Sequence, residues 1–310
     1  MTQLYCSRLW TTGLLTILSI VGCSTAPAPV PVQEGLPLHV WAEVTTPRSG
    51  PANSIGSPSA GCLAGGVTLP PDGPGFEMMR LTRRRFYGHP SLISFLQNYG
   101  SKLKKQQLGP VLVGDLGQPR GGPMPSGHQS HQSGLDVDLW YWHPADLKNR
   151  NLTLDEREQL AALSVLTPSP YPASPSLATA NTPAVSSELF TAEQIQFLKT
   201  AAAFPDVDRI FVNPNIKKYL CEREKNPADR EWLHKLRPWW GHDDHFHVRL
   251  NCPLDSTDCI PTAKIEEGSG CGTTLDWWFT AEAAQPPALL EPEKPRELVL
   301  PLACQVIGES

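Results

Sequence analysis

Several motifs that define enzyme classes are missing from this sequence of 310 residues. No HExxH occurs, which argues against a helix-borne zinc site. Neither a GxSxG elbow nor a phosphate-binding glycine-rich loop is present. The SxxK pattern at residues 101–104 has no accompanying KTG triplet and lies in an amphipathic run, so it indicates the solvated face of a helix. The net charge of −5 comes without a basic block, and therefore nothing indicates a nucleic-acid partner.

Near the N-terminus, the apolar run at residues 9–22 is too short to span a bilayer and has the composition of a secretory signal peptide. It ends in IVGC, which resembles a bacterial lipobox, in which the cysteine receives a lipid before the signal is removed. We therefore predict a signal peptide at residues 1–22, a lipid anchor at Cys23 and a Pro/Ala-rich tether at residues 23–50. By resemblance to sorted lipoproteins, Ser24 in place of an aspartate implies the outer membrane, facing the periplasm. An ordinary signal peptide cleaved nearby is the alternative.

Cysteine usage agrees with export. Two of the eight cysteines lie at the N-terminus, Cys6 in the predicted signal peptide and Cys23 at the lipobox. The even number that remains implies disulfides in an exported chain, although sequence alone leaves fifteen pairings open. A zinc ribbon is the alternative, but no CxxC pair occurs. The remaining cysteines are Cys62, Cys221, Cys252, Cys259, Cys271 and Cys304.

Five of the nine histidines lie in two short stretches, SGHQSHQSGLDVDLW at residues 126–140 and WWGHDDHFHVRL at residues 239–250. In the second stretch, apolar and polar residues alternate through HFHVRL, the pattern of a half-buried strand. His245 and His247 would then point to the same face, about 7 Å apart along the strand. One of the two histidines can bind a metal while the other contacts the metal-bound water or the substrate.

The first stretch predicts another strand, because Leu135, Val137 and Leu139 alternate with Asp136 and Asp138. His131 lies on the loop just before it. The spacing His131-x6-Asp138, joined to a distant His-x-His, indicates a split three-ligand site with its fourth position left to water, which is the arrangement of a hydrolytic zinc centre.

The other polar residues of the two stretches have open roles. Asp136 is either a partner for a ligand histidine or a solvated strand carboxylate. His128 binds a second metal, holds the loop, or does neither. Asp243 and Asp244 are expected in the turn before the strand, with a structural role.

The runs GHQSHQSGLDVD and RPWWGHDDHFHVRLNCP resemble the motifs of the penicillin-insensitive murein endopeptidases, in the wider group of lysostaphin-like and D-Ala-D-Ala metallopeptidases. The resemblance extends from about Gly56 to Cys304. It implies an enzyme that cuts peptide cross-links in peptidoglycan. It also implies Zn²⁺ ligands at His131, Asp138 and His247, and catalytic or substrate-orienting histidines at His245 and His242.

The resemblance selects one disulfide pairing, namely Cys62–Cys304, Cys221–Cys271 and Cys252–Cys259. It fails at residues 167–187, a low-complexity stretch of Pro, Ser, Ala and Thr without charge that we expect to be a surface insertion. The family places further metal ligands in this region, at a subunit contact. No residue here matches them, so a homodimer is left open but without support from a second metal site.

We predict a single α+β domain at residues 51–284, followed by a Pro-rich tail at residues 285–310. A small, mainly antiparallel sheet is expected to carry the zinc site, with helices around it and disulfide-stapled loops. The first 85 residues are expected to be loop-rich. Strands are expected at residues 111–117 and 208–212, and helices at residues 91–105 and 230–235 and after the capping-box patterns TxxE at 153–156 and TxxQ at 191–194.

The most specific function that these features predict is a zinc murein endopeptidase acting on cross-linked stem peptides. A zinc D-Ala-D-Ala carboxypeptidase and a non-catalytic cell-wall-binding lipoprotein are the alternatives. A groove for a cross-linked substrate would be flanked by Trp140, Trp142, Trp239 and Trp240, unless these belong to the core.

Overall fold

A seven-stranded mixed sheet lies at the centre of the fold. The computed structural model describes residues 38–167, 183–283 and 299–308. The strands of the described residues are β1 (Asn53–Ser57), β2 (Ala60–Ala64), β3 (Val67–Thr68), β4 (Asp72–Gly73), β5 (Phe76–Met78), β6 (Tyr87–Gly88), β7 (Val111–Val113), β8 (Asp136–Trp140), β9 (Leu166–Thr167), β10 (Ala184–Val185), β11 (Val207–Val212), β12 (Leu236–Pro238) and β13 (His245–Leu250).

The strand order in the central sheet is β12-β11-β13-β8-β7-β5-β4. Two neighbouring pairs, β11 with β12 and β5 with β7, are parallel, and the other pairs are antiparallel. Two-stranded sheets β1-β2, β3-β6 and β9-β10 lie outside it. The described residues all belong to one compact unit. The expected α+β domain with a mainly antiparallel sheet is confirmed.

The helices surround this sheet. They are α1 (Leu38–Glu43), α2 (Pro90–Lys105), α3 (Leu154–Gln159), α4 (Ala192–Ala202), α5 (Pro214–Arg223), α6 (Thr273–Asp276) and α7 (Leu302–Gly308), with 3₁₀ turns at Leu81–Arg83, Ala145–Lys148, Pro227–Lys235 and Trp277–Phe279. Among the described residues, none of these helices combines the length and apolar character needed to cross a bilayer.

Helix starts follow the capping chemistry of the sequence. Thr153 and Thr191 each accept a bond from the backbone of the first helical turn, and the side chains of Glu156 and Gln194 bond back to the cap residue. Helix α2 begins at Pro90 after the cap His89 and buries an apolar stripe against the core. The predicted helices after both capping boxes and at residues 91–105 are confirmed.

The two faces of strands β8 and β13 have different surroundings. Val137, Leu139, Phe246 and Val248 are buried in a large hydrophobic cluster with residues of α2 and α4. Because side chains alternate along a strand, the intervening polar residues all face the other side of the sheet. The apolar face therefore anchors the two strands in the core, and the polar face presents the aspartate and histidine side chains of the candidate site.

Several local expectations were wrong. The strand expected at residues 111–117 ends at Val113, because the following chain turns to place Asp115 against Arg85. The entry before residue 85 contains strands β1 to β5 and not only loops. The helix expected at residues 230–235, by contrast, is confirmed as part of a longer 3₁₀ helix, Pro227–Lys235. Helix α5 has no counterpart in the predictions.

Three disulfides lie within the described residues: Cys62–Cys304, Cys221–Cys271 and Cys252–Cys259, with Cα–Cα distances of 5.5, 5.8 and 5.8 Å. These are the pairs that the resemblance implies. The first joins residues 242 positions apart. In the chain-entropy account such a long closed loop restricts the unfolded chain most, which stabilises the fold by several kcal/mol, on the order of 5.

The folded region begins earlier than the predicted tether boundary at residue 50. Trp41 in α1 is only 1% exposed and packs with Ile55 and the Cys62–Cys304 pair. The predicted signal peptide at residues 1–22, the anchor Cys23, most of the insertion (168–182) and the tail at 284–298 lie outside the described residues. The two described ends of the insertion pair as β9 and β10.

Candidate metal centre

The register of β8 against β13 collects the polar residues predicted from the two motifs. Asp138 pairs with His247, and Asp136 pairs with Arg249. His245, two residues before His247, lies on the same face. Its Nε2 is 3.7 Å from Asp138 Oδ1. The two carboxylates and the two histidines therefore share one face of the sheet.

His131 reaches this face from the loop before β8. Its backbone φ is 67°, a left-handed conformation that a histidine rarely adopts. The ring Nδ1 donates a hydrogen bond to the Leu116 carbonyl oxygen at 2.8 Å. Since a neutral imidazole carries one proton, Nε2 is then an acceptor. This Nε2 is 3.3 Å from Asp138 Oδ1.

His247 is oriented in a similar way by a carboxylate. Its Nε2 donates to Asp136 Oδ1 at 2.6 Å, and the same oxygen accepts a bond from Arg249 Nε at 2.6 Å. The His247 Nδ1 is therefore left as an acceptor, 3.4 Å from Asp138 Oδ1. Asp136 was expected to be either such a partner or a solvated carboxylate, and its 0% exposure decides for the first.

Two acceptor nitrogens, His131 Nε2 and His247 Nδ1, thus lie 3.3 and 3.4 Å from a third acceptor, Asp138 Oδ1. Within the described chain, His131 Nε2 and Asp138 Oδ1 are buried and have no hydrogen-bond partner. Buried acceptors without a donor are costly, and a cation between them would satisfy all three at once. The donor set of imidazole nitrogens and one carboxylate fits a metal ion.

Burial and the neighbouring charged groups also set the protonation states of Asp138 and His247. Burial alone would raise the pKa of Asp138, but His131 and His245 outweigh it and hold that pKa well below its usual range. Burial lowers the pKa of His247 to about 4, against the opposing pull of Asp136. Asp138 is therefore anionic and His247 neutral near pH 7, which are the forms that bind metal.

His128 lies on the other side of Asp138. Its Nε2 is 3.0 Å from Asp115 Oδ2, and its Nδ1 is 3.5 Å from Asp138 Oδ2. One potential ligand atom from each of His128, His131 and Asp138 lies within 4.8 Å of the other two, so the geometry makes these residues a possible metal-binding group.

Asp115 was missed by sequence reasoning. Arg83 and Arg85 both contact its Oδ2, at 3.3 and 2.8 Å, beside His128. Burial opposes ionisation, but His128 and Arg85 outweigh it and lower the pKa of Asp115 to about 2. No spacing pattern marks this residue, because it approaches the site from the end of β7.

His245 and His242 lie on the open side of the centre. His245 Nδ1 bonds to Asp244 Oδ1 at 2.6 Å, which leaves Nε2 toward Asp138. Burial would lower the pKa of His245, but Asp138 and Asp244 raise it to about 9. Asp244, expected to be structural, therefore orients a candidate catalytic histidine.

His242 Nδ1 donates to the Trp240 carbonyl oxygen at 2.8 Å, which leaves its Nε2 as an acceptor. Burial and the neighbouring histidines lower the pKa of His242 to about 3. The ring centroids of His242 and His245 are 4.9 Å apart. His242 has a φ of 55° and, like His131, is held in a left-handed conformation, a form of strain found at functional sites.

Comparison with known proteins identifies the family of the chain. The profile of the penicillin-insensitive murein endopeptidase family matches residues 54–309. The chain is 38% identical over 300 residues to a protein named penicillin-insensitive murein endopeptidase from Yersinia enterocolitica, covering 97% of each chain. It is 40% identical over 267 residues to one from Pectobacterium atrosepticum, covering 86% of this chain and 88% of that protein. A third, from Escherichia coli, is 39% identical over 267 residues, covering 86% and 90% of the two chains. The chain therefore belongs to the penicillin-insensitive murein endopeptidase family.

Proposed function

We propose that this chain is a zinc-dependent murein endopeptidase that hydrolyses D-alanyl–meso-diaminopimelyl cross-links in peptidoglycan. The observation that carries the proposal is the set of acceptor atoms around Asp138 Oδ1. Two of these atoms are imidazole nitrogens of His131 and His247, and in each ring the other nitrogen already donates a hydrogen bond. Nitrogen and carboxylate ligands without thiolates suit a catalytic zinc ion. Family membership supports the same activity.

In this proposal His131, Asp138 and His247 hold the zinc, and His128 extends the donor set on the far side of Asp138. Zinc, when bound, supplies a Lewis acid that lowers the pKa of water and polarises the scissile carbonyl. Asp136 fixes the tautomer of His247, and Arg249 neutralises the charge of Asp136. The Leu116 carbonyl fixes the tautomer of His131 in the same way.

His245 is the best-placed general base. Without metal, burial of His245 is outweighed by Asp138 and Asp244, which raise its pKa to about 9, so the ring is protonated near pH 7. With the charge of Asp138 offset by a bound zinc ion, Nε2 would be free to accept a proton from water. The Asp244 carboxylate on Nδ1 would then stabilise the imidazolium that forms. The proton then passes from Nε2 to the leaving amine. His242 has a carbonyl and not a carboxylate on its Nδ1, so it stays neutral and positions water or substrate through Nε2.

Cross-linked muropeptides test the function directly. Zinc-loaded protein should convert dimeric muropeptides to monomers without release of D-alanine, as measured by chromatography with mass spectrometry. Penicillin should not inhibit, because no serine is acylated, whereas EDTA or phenanthroline should. Free D-alanine from monomeric pentapeptide would favour the carboxypeptidase, and no change in either substrate would favour the binding lipoprotein.

We also propose that the chain works in the periplasm as an outer-membrane lipoprotein, with residues 1–22 removed and Cys23 acylated. The IVGC sequence supports this proposal. The linker between anchor and domain would end before Trp41, which is buried in the folded unit.

Acylation of Cys23 has a simple test. Cells that express the chain should incorporate labelled palmitate into it, and Cys23→Ser should remove the label and release the protein from the membrane fraction. Cys6→Ser is the matched control and should leave labelling unchanged. Labelling that persists in Cys23→Ser would contradict the anchor.

A further inference from the structure

Four tryptophans form a continuous aromatic surface, here named the aromatic platform: Trp239, Trp240, Trp277 and Trp278. Neighbouring ring centroids are 5.3 Å apart for Trp239–Trp240, 4.6 Å for Trp240–Trp278 and 5.1 Å for Trp277–Trp278. Trp239 is 48% exposed and Trp277 is 39% exposed. By contrast, Trp140 is only 7% exposed and belongs to the core. Of the four tryptophans expected to flank a groove, the structure therefore places Trp239 and the half-buried Trp240 in the platform and Trp140 in the core, while Trp142 is half-buried outside the platform.

The platform is continuous with the candidate metal centre. Phe211 on β11 pairs across the sheet with His247, and the two ring centroids are 5.2 Å apart. Phe211 also contacts Trp239, at 5.7 Å between centroids. A chain of ring contacts therefore leads from the candidate ligand His247 to the exposed indole of Trp239.

Two of the four indole N–H groups of the platform form hydrogen bonds within the protein. Trp240 Nε1 donates to the Ala283 carbonyl oxygen at 2.7 Å, and Trp277 Nε1 donates to Glu282 at 3.3 Å. These bonds hold the rings in place. They leave the apolar faces of Trp240 and Trp277 for a partner. Large apolar surface kept exposed next to a reactive centre indicates a binding surface.

We propose that the aromatic platform binds the glycan strand that carries the stem peptides, by stacking pyranose rings on Trp239 and Trp277. This inference rests on the proposed function. The C–H groups on one face of a pyranose carry partial positive charge and match the negative face of an indole. A sugar would be held without any charged partner, which agrees with the composition of the platform.

The length of the stem peptide agrees with a sugar-binding site at the aromatic platform. About four stem-peptide residues separate the scissile bond from the sugar, and an extended chain spans roughly 3.3–3.6 Å per residue. A stem peptide is therefore long enough to reach from the metal centre to Trp239, whose ring is joined to that of His247 by two centroid contacts of 5.2 and 5.7 Å through Phe211. A lipid surface can also attract tryptophan, but it gives no reason for the platform to adjoin the catalytic histidines through Phe211.

The experiment compares two substrates that share the same cross-linked peptide. One keeps its disaccharides, and the other has had them removed by an amidase. For Trp277→Ala, the ratio of kcat/KM between the sugar-bearing and the sugar-free substrate should fall about tenfold, which corresponds to about 1.4 kcal/mol. Trp277→Phe keeps a ring and should retain most of the ratio. Leu254→Ala, which removes a fully exposed apolar side chain outside the platform, should keep the wild-type ratio.

A second measurement does not depend on peptidase activity. Peptide-free glycan strands should quench tryptophan fluorescence of the metal-depleted protein, and Trp239→Ala and Trp277→Ala should weaken this binding about tenfold each. If wild type binds glycan but cleaves neither peptide substrate, the platform stands and the proposed function fails.

Several outcomes would overturn the proposal. An equal loss of kcat/KM on the sugar-bearing and the sugar-free substrate in the Trp277→Ala variant would assign the tryptophans a structural role. A higher kcat/KM on both substrates in that variant would mean that another segment of this chain covers the platform. Unchanged glycan binding in the Trp277→Ala variant, or binding of phospholipid vesicles in place of glycan, would exclude the glycan as the occupant.

Discussion

Replacing His131 with alanine is expected to release the zinc and to abolish hydrolysis of cross-linked muropeptides. The wild-type chain should hold about one zinc, because its nitrogen and carboxylate donors form a single catalytic-type set. His131 Nε2 is buried, held by the bond of its Nδ1 to Leu116, and directed at Asp138. Its position depends on a left-handed backbone conformation at that one residue. The neighbouring His128 faces the other carboxylate oxygen, Asp138 Oδ2, and so does not supply the same donor. Metal analysis of purified protein measures the effect, and His247→Ala should behave in the same way.

Two variants make this result specific. Asp136→Asn keeps the shape of the site but weakens the hold on His247, so it should lower zinc affinity by about 10–100-fold without abolishing binding. His234→Ala removes a histidine that contacts Gly268 outside the site and should retain full zinc. Full zinc occupancy in purified His131→Ala would refute the ligand assignment, whatever the activity of that variant.

Replacing His245 with alanine should separate metal binding from proton transfer. The variant is expected to keep its zinc, because His245 lies on the open side of Asp138, yet to lose about 10²–10⁴-fold in kcat, the usual contribution of a general acid–base group. Asp244→Asn should cause a smaller loss in kcat, because it removes only the charge that stabilises the His245 imidazolium. Steady-state kinetics on dimeric muropeptides, with metal content measured on the same samples, checks both.

His242→Ala is the matched comparison, since it removes a neighbouring imidazole whose Nδ1 bonds to a backbone carbonyl. A larger loss in kcat for His242→Ala than for His245→Ala would reverse the assignment of the base. Loss of zinc from His245→Ala would instead move His245 into the ligand set.

Local patterns determined much of the fold. Period-two alternation in HFHVRL and GLDVDLW located β13 and β8, because one face of each strand had to be apolar to anchor in the core. Capping boxes at Thr153 and Thr191 located the starts of α3 and α4, because their hydrogen bonds are made within a single helical turn. The strand after residue 111 was predicted too long, since the turn that ends it depends on partners of Asp115 far away in the sequence.

The sequence by itself determined which residue types meet at the site, since the two motifs carry the histidines and aspartates together with the strands that position them. Only the tertiary structure decided which atoms of these side chains are left as acceptors. Which imidazole nitrogen is an acceptor depends on what the other one bonds to, and those partners include the Leu116 carbonyl and the Asp136 carboxylate. Such contacts join residues as many as 111 positions apart. They are set by strand register and loop path, which no local periodicity encodes. For the same reason the position of Asp115 at the site, and of Trp277 and Trp278 beside Trp240, became visible only in the folded chain.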